Sequence, residues 1–269
     1  MNKIQEFLES VTVIDTETTN IDTNVAEIIE IASCRYFDNN WEAASILFGS
    51  ENPIPPEASA VHNISNNMIK GKPLFIDELD DAYAFMFVND TSYMVAHNSE
   101  YDRAVLNNNI IRTFNQTPFE KFQKKESWIC TYRLAKAIFN GNTDLTQYKL
   151  NYLRYALNLD IPDDAVAHRA AHDTQMCAVL FEFLVNTAVN KGLVSLDGDI
   201  GEQLVDLCWA PRLLDTWPFG KHRGTPMNKV PMDYISWAIN KPLDSLDENN
   251  ANYDMDLAYT IMTELDRRS

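Results

Sequence analysis

The residues able to do chemistry fall in three short segments. Ile14-Asp15-Thr16-Glu17-Thr18-Thr19 closes an apolar, β-rich run that begins at Val11. Side chains two apart on a strand share a face, so Asp15 and Glu17 can converge on one cation. A hard divalent ion such as Mg²⁺ takes several oxygen ligands, and the carboxyl end of a strand is a common place to assemble them. Taken alone, the D-x-E also reads as a polar strand exit. In the second segment, Val95-Ala96-His97-Asn98-Ser99-Glu100-Tyr101-Asp102, a short buried strand runs into a helix start. Ser99 reads as the N-cap, with Asp102 in the first turn on the side of Asn98. A carboxylate there either meets a ligand or simply complements the helix dipole. In the third segment, His168-Arg169-Ala170-Ala171-His172-Asp173 opens a long helix. Asp173 would face inward beside Ala170 and Cys177, where a carboxylate needs a partner. His168, on the preceding loop, titrates in the range suited to a general base for water; it reads equally as a solvated loop residue.

The elements that must position these residues follow from periodicity. Strands are expected over 11–14, 27–37, 43–48, 93–96 and 128–130. Helices are expected near 4–8, 76–88, 100–108, 133–139, 150–157 and 170–189, the last carrying Met176, Val179, Leu180, Phe183 and Leu184 on one side. Residues 52–65 hold three prolines and no clear period, so they read as a structured loop. Strands dominate early and then alternate with helices, which implies a mixed α/β sheet covered by helices. The segment Trp217–Gly224 differs in character and opens a small second unit. Gln203–Leu207 reads as a buried helix face.

Composition sets outer limits. The chain has 269 residues, 45% apolar, with 22 Lys and Arg against 39 Asp and Glu, a net charge of −17. Residues 1–210 carry −15 of this and 211–269 only −2. Such a balance argues against a duplex-coating protein or a binder of anionic membranes. The four cysteines, Cys34, Cys130, Cys177 and Cys208, form no C-x-x-C pair and read as buried thiols of a cytoplasmic protein. No segment has the length and apolarity of a signal peptide or a membrane span.

Taken together, Asp15/Glu17, Asp102 and His168/Asp173 resemble the motifs of the DEDD (DnaQ-like) 3′–5′ exonuclease superfamily in its His subtype. The three aspartates are spaced by 87 and 71 residues. Ile28-Ile29-Glu30-Ile31-Ala32 looks like that family's second strand. Val61-His62-Asn63-Ile64-Ser65 looks like its substrate loop, with Asn63 in place of a glycine. Asn20 also stands where glycine is usual, a turn that Asn tolerates at positive φ. Phe219-Gly220-Lys221-His222-Arg223-Gly224, followed by Asp233-Tyr234 and Trp237, is similar to the C-terminal unit of exonuclease X-like proteins of bacteria and phages.

The resemblance implies an α/β, ribonuclease H-like mixed sheet flanked by helices with a small C-terminal unit. Its boundaries are a catalytic domain over 1–192, a helical connector over 193–214 and the C-terminal domain over 215–269. It further implies hydrolysis of phosphodiesters at 3′ ends, releasing nucleoside 5′-monophosphates, with two divalent cations, Mg²⁺ or Mn²⁺ in its place. Asp15, Glu17 and Asp173 would hold the first ion, Asp15 would bridge to the second, and Asp102 would hold the second through water. His168 would take the proton of the attacking water. Thr18, His62, Ile64, Asn98 and Tyr101 would lie near the terminal nucleotide, and Lys221 and Arg223 would contact phosphate. A second basic segment, Lys121, Lys124 and Lys125 beside Phe119 and Phe122, could grip a backbone. The implied partner is a DNA 3′ end, single-stranded or frayed, with no membrane; RNA and a homodimer remain open. Other readings are an RNA-trimming exoribonuclease, a polymerase proofreading subunit, and a catalytically silent nucleic-acid-binding module.

Overall fold

The computed structural model describes residues 2–86, 91–114, 123–140, 144–161, 170–241, 243–246 and 253–268. It divides into two compact units, Met1–Cys208 and Trp209–Ser269.

The first unit is built on five strands: β1 (Val11–Thr18), β2 (Ile28–Phe37), β3 (Asn40–Leu47), β4 (Tyr93–Ala96) and β5 (Trp128–Cys130). Their order is β3-β2-β1-β4-β5. β1 pairs antiparallel with β2 and parallel with β4; β2 pairs antiparallel with β3, and β4 parallel with β5. β1 is therefore central and bonded along both edges. The mixed sheet is the expected one.

Helix α1 (Lys3–Glu9) leads into β1. Asn2 caps it by accepting from the Ile4 amide, while Gln5 reaches back to the Asn2 amide. Between β3 and β4 lie α2 (Pro56–His62), α3 (Asn66–Ile69) and α4 (Leu79–Met86). α2 corrects the expectation of a loop over 52–65. Pro55 and Pro56 start the helix rather than prevent it, because fixed φ and a missing N–H cost nothing in a first turn. Asn63 ends it at φ 58°, the left-handed position that a glycine would otherwise fill.

Helix α5 (Ser99–Phe114) follows β4, and α6 (Thr131–Ile138) and α7 (Leu150–Ala156) follow β5. α8 (Ala170–Asn190) is long and buries Ala170, Met176, Cys177, Leu180, Phe181, Leu184 and Val185. α9 (Ile200–Trp209) buries Leu204 and Val205, as a core helix face should. Alternation along β1 gives the sheet two apolar faces. One carries Ile14, Ile31, Met94 and Trp128 against α4 and α5. The other receives α8, which packs on β1, β2 and β3. All four cysteines are free and buried. Among the described residues no helix is long and apolar enough to cross a membrane.

The second unit contains α10 (Met232–Asn240) and α11 (Met255–Arg268) around Trp217, Met227, Val230, Ile235, Leu257 and Ile261. The Trp217 amide donates to the Thr225 carbonyl (2.9 Å) and the Gly224 amide to the Trp217 carbonyl (2.8 Å), closing the Phe219–Arg223 turn. Arg268 donates to the carbonyls of Val230 and Met227 and to Glu264, tying α11 to the loop before α10.

Gly201 in α9 gives the packing a direct test. A Cβ there would run into the ring of Tyr93 on β4. Gly201→Ala should destabilise the first unit by about 1–3 kcal/mol, the usual scale of overpacking. Urea denaturation checks it; an unchanged or raised midpoint would contradict this packing of α9.

Candidate active site

The strand that ends at Thr18 positions most of the site. Asp15 and Glu17 alternate with Thr16, so they leave β1 on the face that α8 covers. Asp173, in the first turn of α8, meets them there: one carboxylate oxygen from each of Asp15, Glu17 and Asp173 lies within 4.8 Å of the others. Thr16 leaves β1 on the α5 side and holds Asp102. Asp102 Oδ1 accepts from the Thr16 amide (3.1 Å) and from Thr16 Oγ1 (2.8 Å). Asp102 is thus fixed to the strand between the other two acids.

Like charges at this spacing disfavour ionisation. Burial, and then the carboxylates of Asp102, Glu17, Asp173 and Glu30, raise Asp15 well above the usual carboxylate range. Burial and the charges of Asp173, Glu30 and Asp102 push Glu17 up to about 8. Burial pushes Asp102 to about 7, although the two Thr16 bonds favour its ionised form. An all-oxygen donor set whose members resist ionisation without positive charge fits a hard divalent cation. Asp15, Glu17 and Asp173 would ligate it directly.

Beside the carboxylates opens a cleft of about 530 Å³, lined by Glu17, Thr18, Ile21, Val61, His62 and Tyr101 among others. The Tyr101 hydroxyl donates to the Asn20 carbonyl (2.9 Å) and lies 2.5 Å from Thr18 Oγ1. Burial and the nearby carboxylates raise its phenol above the ordinary value, against the opposing bond from Thr18. His62 is buried, and its Nδ1 accepts from the Ile64 amide (3.0 Å). Burial lowers its pKa, so the neutral ring is favoured. Ile64 itself is fully buried with Ile29, Ile54 and Ile69.

The structure therefore brings together Asp15, Glu17, Asp173 and Asp102, and sets Thr18, His62 and Tyr101 along one cleft. Asn98 is exposed at φ 71° and its carbonyl accepts from the Tyr101 amide (3.0 Å). Lys221 and Arg223 lie on the exposed turn of the second unit. His168 lies outside the described residues, as do Phe119, Lys121 and Phe122. Two local expectations change. Ser99 does not cap α5 with its side chain; its Oγ is buried without a hydrogen bond. Asn20 is not at positive φ. Its side chain instead accepts from the Asp22 amide (3.0 Å), so an Asx turn takes the place of a glycine turn.

Two neighbours of the site were not singled out from sequence. Thr16 is hidden inside the D-x-E, and only the two hydrogen bonds it donates to Asp102 reveal its part. Glu30 pairs across from Glu17 in the β1–β2 register and is fully buried. Its Oε1 accepts from Ser45 Oγ (2.7 Å). A Glu within Ile28–Ala32 was the available signal.

The chain's likeness to known proteins follows the same residues. A model of the RNase T exonuclease family matches residues 12–181, which include the acidic cluster and Asp102. The chain belongs to the DnaQ-like 3′–5′ exonuclease family. Exodeoxyribonuclease 10 of Escherichia coli K12 is 31% identical over 240 residues, covering 87% of this chain and 92% of the relative. The DNA polymerase III epsilon subunit of Treponema pallidum is 31% identical over 176 residues, 65% of this chain and 75% of that one. The structure of exonuclease X with 5′-overhanging duplex DNA aligns at 27% identity and TM-score 0.53, over 74% of this chain and 99% of its own. E. coli exonuclease I with a dT13 oligonucleotide, at 15% identity and TM-score 0.53, shares the fold. The second unit of this exonuclease lies outside the family span.

The crowded acids make a pH-dependent prediction. A carboxyl whose folded pKa is raised binds more protons folded than unfolded between its two pKa values, so it costs stability as pH rises through that window. For Glu17 and Asp102 the window runs from the ordinary carboxylate range to about 8 and about 7. With a chelator present, thermal stability should fall as pH rises from about 5 to 8. Adding Mg²⁺ or Mn²⁺ should restore it, more at pH 8 than at pH 5. A melting profile flat in pH and indifferent to metal would refute the site.

Proposed function

We propose that this exonuclease hydrolyses the terminal phosphodiester at DNA 3′ ends and releases nucleoside 5′-monophosphates, with Mg²⁺ as its ion and Mn²⁺ able to substitute. The observation that carries the reading is the convergence of Asp15, Glu17 and Asp173 within 4.8 Å at the head of a cleft. The choice of DNA is supported by exodeoxyribonuclease 10, whose similarity extends over 92% of its own length. That extent also favours a stand-alone enzyme over a polymerase subunit.

Two divalent cations, when bound, would acidify water and stabilise charge on phosphorus and on the leaving oxygen. Asp15, Glu17 and Asp173 would hold one, and Asp15 and Asp102 would serve the second. The two Thr16 bonds aim Asp102 for that task and favour its ionised form against the effect of burial. The terminal nucleotide would occupy the cleft between the Val61–His62 helix end and Tyr101. His62, kept neutral by burial, and the Thr18–Tyr101 pair would orient it, and the buried Ile64 would act through its backbone. Asn98 would sit beside the same strand end. His168 would take the proton as water oxygen bonds to phosphorus and the bond to the 3′-oxygen breaks. That oxygen leaves on the shortened strand and collects a proton from solvent.

Asp15→Asn and Asp173→Asn should abolish Mg²⁺-dependent release of mononucleotides from 3′-labelled DNA while the circular dichroism spectrum persists. Full activity in either variant would sink the assignment. His168→Ala should slow turnover by about 10²-fold or more, the scale of a general base. An RNA substrate digested in preference to DNA would move the enzyme to the exoribonuclease reading.

A further inference from the structure

The second unit presents an aromatic and cationic surface that the active-site chemistry does not use. Residues 217–241 carry four Lys and Arg against one Asp, net +3 in a chain of net −17. The turn Gly220–His222 seats against α10: Gly220 adopts φ 60°, and a Cβ there would meet Tyr234 Oη at 2.8 Å. The His222 ring lies 4.5 Å from Tyr234, and Tyr234 lies 5.0 Å from Trp237 at an interplanar angle of 32°. Lys241 Nζ stands 5.1 Å over the Trp237 ring. Tyr234 and Trp237 are three apart and share a face of α10, and Lys241 is the residue that ends the helix, its ammonium returning over Trp237. Trp237 is 42% exposed, and Lys221, Arg223 and Lys241 are all exposed. None of these three has an ion-pair partner among the described residues.

We propose that this face is a second binding site for single-stranded nucleic acid, separate from the carboxylate site, with Trp237 as the stacking platform and Lys221, Arg223 and Lys241 on the backbone. The inference rests on the DNA-end reading above. An exposed indole flanked by exposed cations suits a strand because every base has a face to stack, and each phosphate beside it needs a positive charge. The ammonium of Lys241 now covers the indole. A base would displace it towards the adjoining phosphate, so the cation–π contact is exchanged for an ion pair. Local positive charge is what a polyanion needs on an otherwise acidic chain. Because the unit is tethered to the catalytic one, its grip would raise the effective concentration of strand near the enzyme without touching the chemistry.

The test uses the full chain. Binding of a fluorescent dT20 is measured by anisotropy in EDTA, which prevents cleavage. Trp237→Ala should weaken binding by about fivefold or more, the scale of one lost base stack, and Trp237→Phe should retain most of it. Lys241→Glu, a surface change that leaves folding intact, should weaken binding and lower the slope of log affinity against log salt by about 0.7 or more. Hydrolysis of the p-nitrophenyl ester of thymidine 5′-monophosphate in Mg²⁺ reports the carboxylate site alone and should be unchanged in both Trp237 variants and in Lys241→Glu. Affinity for dT20 within twofold of wild type in Trp237→Ala and Lys241→Glu would overturn the proposal and turn the face to a protein partner. Failure of the wild type to hydrolyse the ester would count against the catalytic reading and leave the anisotropy result standing by itself.

Discussion

The structure depends on holding carboxylates together against their own repulsion. Asp15, Glu17 and Asp173 meet within 4.8 Å, with Asp102 and Glu30 close enough to add to the field. Nothing in the backbone lets them separate. β1 is anchored to β4 over Val11–Val13 and paired with β2 through Asp15 and Glu17 themselves, so these two cannot swing away without breaking the β1–β2 ladder. Asp173 rides on a helix whose inner face is buried over five turns. Asp102 is tied to the strand through Thr16. The repulsion is therefore borne by the stability of the fold, and positive charge at the site relieves it. A central strand, two covering layers and a long buried helix are what such a cluster requires.

Much of this was legible in the sequence because it rests on short periods. A period of two placed Asp15 and Glu17 on one face, and a lone acid among the apolar positions of a strong helix marked Asp173. The mixed sheet followed from the order of the elements. What stayed hidden was cross-strand and turn chemistry. Glu30 becomes a neighbour of Glu17 only through the antiparallel register, which no local pattern states. Thr16 acquires its part from a residue 86 positions away. α2 was obscured by its prolines, which break a helix interior but begin a helix readily. The Asn20 and Asn63 positions show the same limit. Both stand where a glycine is usual, yet one adopts the left-handed backbone and the other avoids it with a side-chain turn.

The cleft beside the acids is lined by two carboxylates, Glu17 and Glu57, and otherwise by threonines, Asn20, His62, Tyr101 and apolar side chains, with no Lys or Arg among them. Such walls offer hydrogen bonds and apolar contact rather than neutralisation of phosphates. The hydroxyls of Thr18 and Tyr101 lie against each other and the Asn20 carbonyl, sharing two protons among the three oxygens, so the wall they form is set before a ligand arrives. Preorganised groups lose little entropy when the ligand binds.

The distribution of charge completes the argument. Residues 1–210 carry −15, and only a few of those acids lie at the site. A surface of that sign cannot coat a polyanion, because each phosphate contact needs a cation to displace its counterions. Cleavage at a strand end asks for much less, because it needs contact with few phosphates rather than many. The Lys221–Lys241 segment supplies a local net positive charge on the second compact unit. The acids at the site outnumber any cation that acts on them, which leaves carboxylates that a divalent ion can satisfy. The acidity of the chain is thus compatible with a nucleic-acid substrate, and at the site it is a condition for holding the ions that the chemistry needs.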